Sequence, residues 1–92
     1  MSKFASQGIG VLYNSNGAEI AFSILEGYAA SDVNESDGTY NYYGFLKSDG
    51  SWYIMRTTKT NTEIRYFAGT SDYTTNWTGR ASLSYNYFNV IF

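Results

Sequence analysis

The sequence predicts a mainly β protein, a small antiparallel sheet or sandwich of about five to six strands with a short C-terminal helix. Three observations carry that expectation. Proline is absent while glycine occurs nine times, so glycine and asparagine must make the turns. Between them lie short runs rich in Val, Ile, Tyr, Phe, Trp and Thr, the residues that fit a pleated surface. One Asn-Gly pair, Asn16-Gly17, stands between two alternating segments and is a strong short-range hairpin signal. The 92 residues suit a single domain spanning 1–92, a size at which roughly 60 to 70 per cent of the unfolded surface becomes buried.

The N-terminal hairpin follows from the Asn16-Gly17 turn. A two-residue turn sets Ser15 opposite Ala18, Tyr13 opposite Ile20, Val11 opposite Phe22 and Ile9 opposite Ile24. The predicted core residues Ile9, Val11, Tyr13, Ile20, Phe22 and Ile24 then share one face, and a one-residue slip would reverse them. From Leu25 to Gly38 the pattern breaks down. This stretch holds Glu26, Asp32, Glu35 and Asp37, four of the eight acidic residues, and is expected to be a surface loop. Asp32, Asn34, Ser36 and Asp37 could suggest calcium, but the glycine falls at the wrong step for an EF-hand and Tyr43 stands where its twelfth-position Glu should be. No metal or other cofactor is expected.

A three-stranded meander is predicted next. Tyr40 to Leu46 forms a strand, Ser48-Asp49-Gly50 turns it, Ser51 to Thr58 returns, and Thr62 to Ala68 runs back after a turn near Thr60-Asn61. A two-residue Asp49-Gly50 turn would pair Phe45 with Ile54, Tyr43 with Arg56 and Leu46 with Tyr53. One face then carries Tyr43, Phe45, Trp52, Ile54 and Phe67, and the other Tyr40, Tyr42, Leu46, Tyr53, Met55, Ile64 and Tyr66. Phe45 and Ile54 join the predicted core. A sheet exposed on one side alternates apolar with polar, and this one does not, so something must cover its second face. The last turn would set Arg56 against Arg65, a like-charge pairing that sheets disfavour; an Arg56 placed over a tyrosine ring would gain a cation–π contact instead. Beyond Gly69, Ser84 could cap a short helix bringing Tyr85, Phe88 and Ile91 or Phe92 together, although alternating Ala81, Leu83, Tyr85 and Tyr87 supports a strand almost as well. The apolar ending Val90-Ile91-Phe92 is expected to dock rather than fray.

Composition narrows function. There is no histidine and no cysteine, so the commonest general base and the most reactive nucleophile are missing and an enzyme is not expected. Six Lys and Arg against eight Asp and Glu leave a net charge of -2, which argues against nucleic-acid binding. No apolar run approaches the roughly 20 residues of a membrane span, and the N-terminus does not read as a secretory signal. What stands out is aromatic content, 20 per cent of the chain with ten tyrosines. Such rings serve cores, protein interfaces and sugar-binding platforms alike. The interface candidates are Tyr40, Tyr42, Tyr43, Trp52 and Tyr53, followed by Arg56, Tyr66, Trp77 and Arg80. The same rings, Trp52 and Trp77 above all, would serve the alternative reading of a module for host-surface glycans.

The stretches Gly38-Thr39-Tyr40-Asn41-Tyr42-Tyr43-Gly44-Phe45 and Gly50-Ser51-Trp52-Tyr53-Ile54-Met55-Arg56 resemble small proteins of tailed phages and prophages. So does the later pattern of Arg65-Tyr66, Gly69, Trp77, Arg80-Ala81-Ser82-Leu83, Tyr85 and Phe88. The resemblance spans roughly Gly10 to Phe92 and implies a virion structural protein, assembled in host cytoplasm with other virion proteins or copies of itself, as a head decoration or a tail or fibre accessory. It carries over no catalytic or ligand-binding residue.

Overall fold

The strands form where β-branched and aromatic residues run between glycine and asparagine turns. The computed structural model describes residues 12–13, 19–21 and 24–92. Its element order is β1 (Leu12–Tyr13), β2 (Glu19–Ala21), β3 (Tyr28–Asn34), β4 (Tyr40–Lys47), β5 (Trp52–Thr58), β6 (Ile64–Gly69), α1 (Tyr73–Thr78), a 3-10 turn at Arg80–Ser82 and α2 (Phe88–Ile91). β1 and β2 pair antiparallel, and β3 to β6 form a four-stranded antiparallel sheet in chain order. The protein is therefore mainly β, with a short C-terminal helix.

The N-terminal pairing agrees with the expected hairpin at Leu12↔Ala21 but sets Tyr13 opposite Glu19, not Ile20. Ile20 is an extra residue on β2, as in a β-bulge. The Asn16-Gly17 turn, the other pairs, and the side chains of Ile9, Val11, Tyr13, Ile20 and Phe22 lie outside the described residues.

The meander needs three corrections. First, it has four strands. Tyr28–Asn34, expected as loop, is an edge strand paired to β4; Ala29, Ala30 and Ser31 give it no apolar alternation to detect. Second, the turn between β4 and β5 is a three-residue loop. Gly50 N–H donates to Lys47 O at 2.9 Å and Lys47 N–H to Ser51 O at 2.8 Å, while Gly50 takes a φ of 97° that suits glycine. The register thus moves by one, pairing Tyr43 with Met55, Phe45 with Tyr53 and Leu46 with Trp52. Third, that shift exchanges the faces of β5 and β6 relative to β4. Tyr43, Phe45, Tyr53 and Met55 form one buried cluster with Ile24, Leu25, Tyr28, Ile64 and Tyr66 against it. Tyr42, Trp52, Ile54 and Tyr73 form the other, flanked by Tyr40, Leu46, Phe67, Trp77, Leu83 and Tyr85. Of the predicted core residues, Phe45 and Ile54 are fully buried and Ile24 is partly so.

The covering of the second face is the chain's own segment from Tyr73 to Tyr85. Gly44 makes room for this cover, and Gly69 makes room for the Trp52 ring on β5. A Cβ on Gly44 would collide with the Tyr73 hydroxyl and lie 3.1 Å from Trp77 Cε3, and one on Gly69 would lie 2.7 Å from Trp52 Cε2. The helix that the sequence suggested from Ser84 begins instead at Phe88. Residues before it are extended, with Asn86 bridged to Tyr66 on β6: Tyr66 N–H donates to Asn86 O at 2.7 Å and Asn86 N–H to Tyr66 O at 2.9 Å. That bridge carries the chain from the second face round the sheet edge to the first, where Phe92 packs edge-on to Tyr53 at 5.4 Å.

Two substitutions test this packing by urea or thermal unfolding. Gly44→Ala should lower stability by about 1–3 kcal/mol through overpacking against Tyr73 and Trp77, at roughly 4–8 °C of Tm per kcal/mol. Thr57, 0 % exposed, has a hydroxyl with no partner. Thr57→Val should therefore raise stability, by about 1 kcal/mol.

Candidate binding surface

The chemistry-bearing side chains gather on the second face because of one bulge. Between Ala30↔Phe45 and Asp32↔Gly44 the register of β3 shifts, leaving Ser31 as the extra residue. Bulges re-aim side chains, and this one places Asp32 beside the bare backbone of Gly44, where Tyr73 Oη donates to Asp32 Oδ2 at 2.7 Å. The tyrosine anchors α1. Trp77, one turn on, stacks on Tyr73 with ring centres 6.2 Å apart, and the Arg80 guanidinium lies 4.4 Å from the Trp77 ring and 5.6 Å from Tyr42.

From Tyr42 the ladder continues. Tyr85 lies 6.1 Å away and donates through its hydroxyl to Arg80 O at 2.9 Å. Arg56, directly across the strands from Tyr42, has its guanidinium carbon 4.2 Å from the Tyr40 ring and 4.7 Å from the Tyr85 ring. The expected Arg56↔Arg65 pairing is present, and so is the cation–π contact posed as its alternative. The two guanidiniums part, Arg65 turning to the Tyr87 ring at 4.0 Å. Each such contact contributes about 0.5–2 kcal/mol, enough to offset opposed charges at a partly solvated surface.

The nine interface candidates separate cleanly. Tyr42, Tyr43, Trp52 and Tyr53 are between 1 % and 4 % exposed and belong to the protein's own core. Tyr40, Arg56, Trp77 and Arg80 come together, half-buried, on the second face. Tyr66 is on the first face, beside Phe88 and Phe92. Trp52 is sealed in the core, and Trp77, half-buried, has Tyr73 and Arg80 against it. What residue types alone did not reveal is the exposure of Tyr87, Phe88, Val90 and Phe92, at 56 %, 45 %, 59 % and 46 %. Their signal was the uncharged, apolar ending.

The acidic segment serves structure. Asn34 Oδ1 accepts from Ser36 N–H and Ser36 Oγ, both at 3.0 Å. Asp37 Oδ2 accepts from Thr39 and Tyr40 N–H at 2.9 Å, bonds that hold its carboxyl below the usual range. Tyr43 donates to Glu35 Oε2 at 2.8 Å, and Lys59 Nζ donates to Glu35 O and Asn41 Oδ1, both at 2.8 Å. Among the described residues no group of three or more His, Cys, Asp or Glu could hold a metal, and no helix is long and apolar enough to cross a membrane.

Burial raises the phenols of Tyr42, Tyr43, Tyr53, Tyr66, Tyr73 and Tyr85, the bonded carboxylates of Glu35 and Asp32 adding to the effect at Tyr43 and Tyr73. Tyr53 is pushed up to about 12 from an ordinary 10.0. Between these values the folded state holds protons that the unfolded chain has released, so stability falls as pH rises. A series of thermal melts should thus show Tm losing ground once pH exceeds the ordinary 10.0, with tyrosinate absorbance appearing together with unfolding.

No family model, curated protein or solved structure matches this chain.

Proposed function

We propose that the protein is a non-enzymatic structural component of a tailed-phage or prophage particle that acts by protein–protein assembly. The observation that supports assembly best is the surface of residues 87–92. Tyr87, Phe88, Val90 and Phe92 are about half exposed, none of residues 87–92 has a charged side chain, and the Phe88 and Phe92 rings are held in place by Tyr66 at 5.3 and 5.9 Å. Large apolar groups fixed rigidly at a surface lose little side-chain freedom when a partner covers them, and exposed apolar patches commonly mark contact sites. A second copy is the partner this surface suits first, because two uncharged patches meet without like-charge repulsion and a net charge of -2 leaves little long-range repulsion between chains.

The virion setting comes from the resemblance in the tyrosine-rich motifs. In that setting the chain is made in host cytoplasm and built into the particle, as a head decoration or as a tail or fibre accessory. The absence of histidine and cysteine agrees with a role without catalysis.

Light scattering over a range of concentrations should show mass rising above that of one chain. A Phe88→Ser, Val90→Asp double variant should remain monomeric with an unchanged circular dichroism spectrum. A wild-type chain that stays monomeric throughout would overturn self-assembly through this surface, and absence of the protein from purified particles would overturn the virion setting.

A further inference from the structure

All three arginines of this acidic chain, Arg56, Arg65 and Arg80, lie on the second face, where they stack on aromatic rings. Two of them also use their donors within the protein: Arg65 Nη1 donates to Ile64 O at 3.0 Å and Arg80 Nη1 to Trp77 O at 2.7 Å. Arg56 differs. Among the described residues it has no hydrogen-bond acceptor and no carboxylate partner, yet none of its nitrogens is among the polar atoms sealed from solvent. Its contacts are with the Tyr40 and Tyr85 rings.

A guanidinium carries all five N–H groups in its plane, so one lying flat over a ring keeps its donor edge open. Stacking also removes most of the freedom that an arginine side chain would otherwise lose on binding. Arg56 is thus a half-buried fork of donors that no other described residue uses. Its geometry matches a carboxylate, which can accept two parallel bonds from one guanidinium. Arg80 and Arg65 on the same face extend the positive charge beyond Arg56, which favours a chain bearing several carboxylates over a single small anion.

We propose that Arg56, clasped by Tyr40 and Tyr85, is a docking site for the carboxylates of an acidic peptide segment of a partner protein. A monomer carries this site as fully as an oligomer does, so it does not depend on assembly through residues 87–92.

The test uses the full chain and an oligo-glutamate peptide. In a nitrogen–proton correlation spectrum of the wild type, the Arg56 Nε–Hε signal should shift saturably, and more than those of Arg65 and Arg80. By calorimetry at matched ionic strength, Arg56→Lys, which keeps the charge and loses the fork, should weaken binding by about tenfold, and Arg56→Gln should abolish it. No saturable Arg56 shift in the wild type would overturn the proposal, whatever the variants' stability. So would equal binding by Arg56→Lys, which indicates a point charge only, or an equal shift with inorganic phosphate, which indicates a small-anion site.

Discussion

The hydrogen bond from Tyr73 to Asp32, made over the bare backbone of Gly44, is the contact on which the second face depends. Three local features must coincide for it to form. The Ser31 bulge turns Asp32 toward Gly44, the missing side chain at Gly44 admits the phenol, and α1 begins at Tyr73, after Asp72 in a left-handed conformation with φ 60°. A bond of this kind to a charged acceptor contributes about 1.5–3 kcal/mol. Its larger effect is positional, because it anchors α1, which brings Trp77 against Tyr73 and Arg80 over Trp77 and Tyr42.

Along that series, aromatic rings take the part that carboxylates usually play beside arginine. This accommodates two arginines directly opposed on neighbouring strands, since each guanidinium finds a different tyrosine. It also shows how rings hold the arginines of a chain with only 15 per cent charged residues, with no arginine ion pair among the described residues. The consequence for function is an ordered face on which Arg56 donates to no other described residue.

The first face works differently. Phe45 and Tyr53 stack at 4.5 Å, and the aromatic cluster continues outward through Tyr66 to Phe88 and Phe92, which remain about half exposed. The two candidate contact regions differ in chemistry, one cationic, the other mainly apolar, and they meet at Tyr87, whose ring lies under Arg65. The Asn86 bridge on β6 joins them and occupies part of that edge of the sheet. At the opposite edge, β3 is bent by its bulge, a feature that natural sheets use to discourage edge pairing.

Much of this was legible in local chemistry. Glycine and asparagine marked the turns, aromatic and β-branched runs marked β4, β5 and β6, and bulk on both sides of those strands implied a second cover. A tyrosine ring was named as an alternative partner for Arg56, and the docked ending at Phe92 followed from its apolarity. The faces were misassigned for a specific reason. When both sides of a strand are apolar, a one-residue shift leaves the hydrophobic pattern satisfied, so register rests on loop geometry: Gly50 takes a positive φ but Asp49 does not, as a two-residue type I′ turn would require. β3 carries too little alternation to declare itself, and α1 becomes intelligible only through the gap at Gly44, about thirty residues earlier. Turns and strand positions are short-range matters, decided by backbone preference within a few residues. Which rings end in the core, which guanidinium stays free and which apolar groups remain exposed depend on contacts between distant segments, and only the folded chain decides them.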